Sequence, residues 1–301
     1  MTLEGILPVW KPKGFTSHDV VAKVRGIVKI KRIGHTGTLD PDVTGVLPLC
    51  IGRATRLVEY IQDLPKAYEA NLLLGFSTDT EDLSGAVMEK QEDVKSRLSE
   101  ELVRRVISRF VGEIEQVPPM YSAVKVDGKR LYELARQGVQ VERKSRKVTI
   151  YGIEILEMNW SGEFPAVRFR VECSKGTYIR TLCVDIGRAL GVPAVMGELV
   201  RVSTGRIGPE SCLTLEQIAE LHRSGELESR LLPSEQAMSH LPSVRLNAEQ
   251  ARRALLGQKI PWTSGAEPEG VVAAFAEDGR LLGIFETDAE RKLLVPMKVF
   301  S

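Results

Sequence analysis

Two well-separated stretches alternate apolar and polar side chains with a period of two, and this restricts the fold more than any other feature. In KAYEANLLLGF the apolar set is Tyr68, Ala70, Leu72 and Leu74. In AVRFRVEC it is Val167, Phe169, Val171 and Cys173, separated by Arg168, Arg170 and Glu172. Successive strand side chains point to opposite faces, so each stretch predicts a strand with one face on a core. One-sided burial belongs to a mixed or antiparallel sheet rather than a wholly parallel one. RKVTIYGIEIL and the opening ILPVW add further strands. Between them the period becomes helical. Ser17 is expected to cap a helix carrying Val20, Val21, Val24, Ile27 and Val28, and Ser99 precedes a stripe of Leu102, Val103, Val106, Ile107 and Phe110. LVEYI also suits a helix, and KRLYELARQG is a short basic one ending at Gly138. SKGTYIRTLCVDIGRALG runs from a turn into a helix ending at Gly191, which places Tyr178 and Arg180 in its first turn. The fold class is therefore α/β of the mixed, α+β kind.

A chain of 301 residues has room for one large domain and a small one. The polar stretch Arg223 to Pro242 is expected to be a linker after the capping box Thr214 to Gln217. Beyond it, Asn247 caps EQARRALL, and VVAAF, LLGIFE and LLVPMKVF are separated by turn residues. The expected division is a first domain over 1–235, with a basic insertion over 121–150, and a β-rich unit over 241–301.

The apolar content of 43% with 27% charged residues is that of a globular protein. No apolar run reaches membrane length and the N-terminus lacks a signal-peptide pattern, so a cytoplasmic location is expected. Four cysteines and four histidines are scattered without paired-ligand spacing, and the expectation is no metal. Cys173 and Cys183 fall on apolar faces as buried thiols. No glycine pattern suits a dinucleotide or phosphate loop, so no cofactor is expected. The absence of heptads and repeats predicts a monomer.

The net charge of +1 conceals a segregation. Val9 to His35 holds seven Lys and Arg against Asp19, and Tyr121 to Gly152 holds eight against three acidic residues. Phe76 to Gln116 has ten acidic and six basic residues. Two basic segments on a neutral chain fit either a polyanion track or ordinary solvated surfaces. Directly after the first lies GHTGTLDPDVTG, a glycine-rich loop in which Pro41 pushes Asp40 toward an extended conformation. By local chemistry alone Asp40 is a turn former or a reagent.

WKPKGFTSHDVV, GHTGTLDPDVTGVLPLCIGRATR, KAYEANLLLG, PPMYSAVKVDGKRLYELARQG, CSKGTYIRTL and GELVRVSTGRIG, in this order, resemble the TruB family of bacterial tRNA pseudouridine-55 synthases. The likeness spans about residues 5 to 215, and the tail resembles the RNA-binding PUA domain. The resemblance implies a catalytic domain around a central, mainly antiparallel sheet with a cleft, a helical basic insertion that clamps RNA, and a C-terminal PUA-like domain. It also implies the reaction. One uridine in the tRNA T-loop loses its N1 glycosidic bond, the base rotates, and C5 bonds to the ribose, without metal or organic cofactor. Asp40 matches the family's essential aspartate, acting as nucleophile or base. Arg180 matches its ion-pair partner. His35 matches the ring that fills the gap left by the flipped base. Tyr68 matches the tyrosine that stacks on the uracil near the departing C5 proton, and Tyr178 and Leu199 match the remaining pocket positions.

Lys13 and the basic helix over 129–136 are expected to meet phosphates, which position RNA without reading sequence. Asp42 has no assignable role. An RNA-binding factor that helps tRNA fold without chemistry would use the same basic segments, and the Asp40, Tyr68 and Arg180 set weighs against it. A glycoside hydrolase would need a second cooperating carboxylate.

Overall fold

The computed structural model describes residues 3–126, 128–262 and 269–300. Strand β1 (Gly5–Lys11) leads into helix α1 (Ser17–Val28), the short β2 (Ile33–His35) and β3 (Thr44–Ile51). A 3-10 turn over Gly52–Leu57 and α2 (Val58–Gln62) follow, so LVEYI is helical only from Val58. The chain then enters β4 (Lys66–Leu74), the hairpin β5 (Phe76–Thr78) and β6 (Val87–Lys90), and α3 (Val94–Arg97). Next come α4 (Glu100–Ser108), β7 (Gly112–Gln116), and the small hairpin β8 (Lys125–Val126) and β9 (Lys129–Arg130) with α5 (Leu131–Arg136). The long strands β10 (Arg146–Asn159) and β11 (Ala166–Cys173), α6 (Ile179–Leu190), β12 (Ala194–Thr204) and α7 (Leu215–Ser224) complete the first unit.

Eight strands form one sheet in the order β1-β3-β12-β4-β11-β10-β7, with β2 added to β3. All pairs are antiparallel except β12 with β3. The expected mixed α/β class and mainly antiparallel sheet hold. The period-two residues Ala70, Leu72 and Leu74 of β4 and Val167, Phe169, Val171 and Cys173 of β11 are buried together, under Ile179, Leu182, Cys183 and Ile186 of α6 and the valines of α1. Removing such side chains from water supplies about 1.5–3 kcal/mol each, an upper estimate.

Two local expectations are corrected. Thr16, not Ser17, caps α1: its hydroxyl accepts from the Asp19 N–H and the Asp19 carboxylate accepts from the Thr16 N–H. Ser17 is fully buried instead, because its hydroxyl accepts the Leu39 N–H at 2.9 Å and so is spent on the Asp40 loop. Tyr178 is the residue before α6 rather than part of its first turn, with φ −100 and ψ 110.

The stretch after α7 is not an open linker. A 3-10 turn over Leu227–Arg230 is followed by Leu232, which exchanges both backbone hydrogen bonds with Ile6, and by α8 (Ser234–Ala237), beyond which Met238 is fully buried. Its polar composition hid this: Leu227 and Met238 are buried and Leu231, Leu232 and Leu241 pack against the apolar clusters, but the residues between them are polar. The tail folds as β13 (Ser243–Leu246), α9 (Ala248–Leu255), β14 (Ile260–Pro261), β15 (Val271–Ala276), β16 (Leu281–Asp288) and β17 (Leu293–Val299), a five-stranded sheet in the order β13-β15-β16-β17-β14. Its Ala273, Leu281, Ile284 and Phe300 share one apolar cluster with Ile6, Val46, Leu57 and Ile61 of the first unit. No helix among the described residues is long and apolar enough to cross a membrane.

Candidate active site

The segment 36–43 has almost no regular structure of its own, and neighbouring elements hold it from every side. Thr36 is fully buried, with its N–H and hydroxyl both donating to the Pro48 carbonyl. Ser17 takes the Leu39 N–H. The Pro41 carbonyl accepts from the Gly14 N–H and from the ammonium of Lys11, 3.0 Å away and wholly buried. Arg201, 1% exposed, reaches the Val46 carbonyl through Nε at 2.7 Å and the Gly37 carbonyl through Nη2. Glycine is required at position 45, where β3 meets β12: φ is +117 and a Cβ would lie 2.2 Å from the Arg201 carbonyl oxygen. Asp40 is thus presented by a loop whose backbone polar groups are largely engaged, which fixes its carboxylate in position.

That carboxylate meets Arg180, with Nη2 to Oδ2 at 3.0 Å. The two side chains differ in access: Arg180 is 6% exposed and Asp40 43%. The guanidinium is built into the protein while the carboxylate faces an incoming molecule. Arg180 is held further by the Thr80 carbonyl at 2.9 Å, the Tyr121 carbonyl at 2.7 Å and the Asp82 carboxylate at 3.8 Å. Thr80 and Asp82 sit in the β5–β6 turn, which is ordered by its own bonds: the Thr80 hydroxyl and Ser84 N–H both donate to Asp82 Oδ1. Burial in the recess pushes the Asp40 carboxyl above its usual range, Arg180 and Lys11 pull it down, and Asp82 and Asp42 push it up.

Asp40 and Arg180 line a cavity of about 390 Å³ whose walls include Tyr68, Tyr178, Leu199 and Arg201. Tyr68 comes from β4 and Leu199 from β12, and Tyr68 pairs with Arg201 across those strands. Burial raises the Tyr68 phenol, and Arg201 beside it opposes this. Tyr178 is fixed through its backbone by Gln116, whose side-chain amide accepts the Tyr178 N–H and donates to its carbonyl. Five of the six predicted site residues, Asp40, Tyr68, Tyr178, Arg180 and Leu199, therefore border one cavity. His35 does not line it. It ends β2 half-buried, its ring edge-on to His18 at 5.0 Å between centroids, with Nδ1 accepting the Gly37 N–H. Burial and the neighbouring His18 lower the His35 imidazole below its usual value.

Sequence reasoning missed Lys66 and Arg201, which line the cavity, and Asp82 behind Arg180. Arg201 could have been found from the register, since its strand neighbour two residues away is Leu199. Asp82 carried no signal beyond a turn-rich TDTEDLSG. Among the described residues no cluster of three or more His, Cys, Asp and Glu converges as a metal set would. A carboxylate fixed beside a buried guanidinium, in a pocket walled by rings, can work on a sugar while a planar base stacks next to it.

Comparison with known proteins agrees with this geometry. The model of the TruB family pseudouridylate synthase N-terminal domain matches residues 25–179. The tRNA pseudouridylate synthase B C-terminal domain matches 180–239, and the C-terminal region of pseudouridine synthase II TruB matches 242–298. The tRNA pseudouridine synthase B of Halalkalibacterium halodurans is 49% identical over 287 residues, 95% of this chain and 93% of the relative. That of Bacillus subtilis is 44% identical, covering 99% of this chain and 97% of its own. Among solved structures, a chain of the archaeal box H/ACA sRNP Nop10–Cbf5 complex superposes with a TM-score of 0.75 at 27% identity, over 100% of this chain and 87% of that one. On these matches, which run through nearly its whole length, the chain belongs to the TruB family of pseudouridylate synthases.

Proposed function

We propose that this protein converts uridine 55 in the T-loop of tRNA to pseudouridine. The observation that carries the proposal is the Asp40–Arg180 pair at 3.0 Å, set in the wall of a cavity that Tyr68, Tyr178 and Leu199 also line. Family membership and relatives named as tRNA pseudouridine synthases give the reaction and the RNA class. The target uridine leaves its stack, at a cost of a few kcal/mol, and its base enters the cavity between the aromatic walls. Asp40 acts on the ribose as nucleophile or base while the N1–C1′ bond breaks. Arg180 keeps it ionised and oriented. Tyr68 stacks on the uracil with its hydroxyl near C5, which bonds to C1′ and then loses its proton. His35, now resting against His18, turns into the gap that the uridine leaves in the RNA.

Residues 1–235 form the catalytic unit in this reading, with 121–150 as the RNA clamp and 241–301 as a PUA-like unit adding contacts to the T-arm. The protein acts as a cytoplasmic monomer. Lys13 and the clamp residues Lys125 and Lys129 are exposed and suit phosphate contacts. Incubation with an unmodified tRNA transcript, digestion and nucleoside analysis test the reading. One pseudouridine per tRNA, mapped to the T-loop, is expected; RNA that is bound yet yields no pseudouridine would instead establish a folding factor.

A further inference from the structure

The charges around the cavity do not balance. Its lining carries five cationic side chains, Lys66, Arg146, Lys175, Arg180 and Arg201, and one carboxylate, Asp40. Arg146 is exposed, as a phosphate contact at a rim would be, and the exposed Lys175 pairs with Asp63. Arg180 has its carboxylates. Lys66 and Arg201 are 5% and 1% exposed, and among the described residues neither forms an ion pair with a carboxylate. Lys66 donates to the carbonyls of Gln62 and Leu64, and Arg201 to those of Val46 and Gly37. Two buried cations held by neutral carbonyls, with no carboxylate in ion-pair contact and only the more distant Asp63 acting on Lys66, lose hydration with little compensation, a costly arrangement unless an anion arrives. Tyr68 lies with them, Arg201 being its cross-strand partner.

Phosphodiesters stay on the RNA backbone outside, whereas the base enters deepest. Negative charge reaches that depth in one step of the reaction. When N1–C1′ breaks, the bonding electron pair leaves with N1 and spreads over the uracil ring and its carbonyl oxygens. It returns when C5 bonds to C1′, and the C5 proton is then lost. We propose that Lys66 and Arg201 form a cationic floor that stabilises the uracil anion between these two bond events. This rests on the function proposed above. Burial and Arg201 lower the Lys66 ammonium to about 8, so it gains from any anion placed beside it. Preorganised donors aimed at charge that develops during a reaction are each worth about 10²- to 10³-fold in rate.

The test compares two leaving groups in single-turnover assays with enzyme in excess. One T-arm RNA carries uridine at the target position and the other 5-fluorouridine, whose ring holds negative charge more readily. The rate read is loss of the N-linked nucleoside. Lys66→Gln keeps a donor for the two carbonyls and removes the charge, and Arg201→Lys keeps the charge and shortens the reach. Lys66→Gln is expected to slow the uridine RNA by about 10²-fold or more, to slow the fluorinated RNA about tenfold less, and to leave RNA affinity within about twofold. Arg201→Lys should show a smaller loss with the same preference for the fluorinated RNA. Equal losses on both RNAs, or no loss, would overturn the proposal, as would a Lys66→Gln protein that fails by unfolding while Arg201→Lys treats both RNAs alike. A wild-type protein inactive on the uridine RNA would instead defeat the underlying function.

Discussion

Asp40 and Arg180 divide one ion pair into two jobs, and substitution separates them. Asp40→Asn keeps the side chain's volume, and Arg180 retains the Thr80 and Tyr121 carbonyls and Asp82. The variant is therefore expected to melt close to the parent and bind tRNA, yet to lose more than about 10²-fold of single-turnover product, since acid–base contributions alone reach 10²- to 10⁴-fold. Melting, affinity and product measured on one preparation check this; product at parental rate would make Asp40 a turn former. The pH profile follows from the same residue. Burial raises its carboxyl above the usual carboxylate range, and in the proposed reaction the ionised form is the active one. The rate should fall as pH drops through a midpoint above that of an ordinary aspartate, and removing Asp82, which also pushes the carboxyl up, should move that midpoint down.

Loops and strands place these side chains through close approaches that a single methyl group would spoil. At Gly45 a Cβ would meet the Arg201 carbonyl at 2.2 Å and adopt φ +117, so Gly45→Ala should destabilise by about 3 kcal/mol or more. Chemical denaturation reads this directly, and a change under about 1 kcal/mol would mean the β3–β12 contact is not rigid. In the proposed clamp, Arg130 and Arg136 both lie over the Tyr132 ring, 5.8 and 5.6 Å from its centroid, so they are partly engaged with the protein. Lys125 and Lys129, both exposed on the β8–β9 hairpin, form no ion pair among the described residues. Changing both to Gln should lower the salt dependence of tRNA binding by roughly 0.7 to 0.9 per lost phosphate contact, measured as the slope of log affinity against log salt. An unchanged slope would place the hairpin away from RNA.

The tail and the first unit are joined by more than chain. Phe300, Ile284 and Met238 share a cluster with Ile6, Val46 and Leu57, Lys298 pairs with Glu59 at 3.1 Å, and Arg53 and Arg56 donate to the Phe300 and Val299 carbonyls. Removing residues from 241 onward would bare this cluster, so the truncated protein should melt well below the parent and raise the tRNA concentration needed for half-maximal rate. Some turnover should survive, because the cavity is lined only by residues up to Arg201. Phe300→Ala isolates the packing part, with a loss of about 3 kcal/mol and an unchanged catalytic rate at saturating tRNA. A full-length Phe300→Ala protein as stable as the parent would show that the two units fold independently.

Much of this was written locally. The period-two residues of β4 and β11 and the capping boxes at Thr214 and Asn247 could be identified in the chain because a strand's faces and a helix's first turn depend on residues a few positions apart. Six ordered blocks carried the resemblance that singled out Asp40, Tyr68, Tyr178, Arg180 and Leu199. Folding alone settled the rest, because it depends on partners far apart in sequence. β12 lies parallel to β3 over a short register at Thr44 and Gly45, and Ser17 leaves a helix cap to hold Leu39. The stretch after α7 is tied to β1 by Leu232 and Ile6. Nothing local marks Lys11, Lys66 and Arg201 for burial, since Lys and Arg are seldom buried. Folding buries all three, because each finds backbone carbonyls outside its own strand, at Pro41, Leu64 and Val46, that only the assembled β1, β4 and β12 bring within reach.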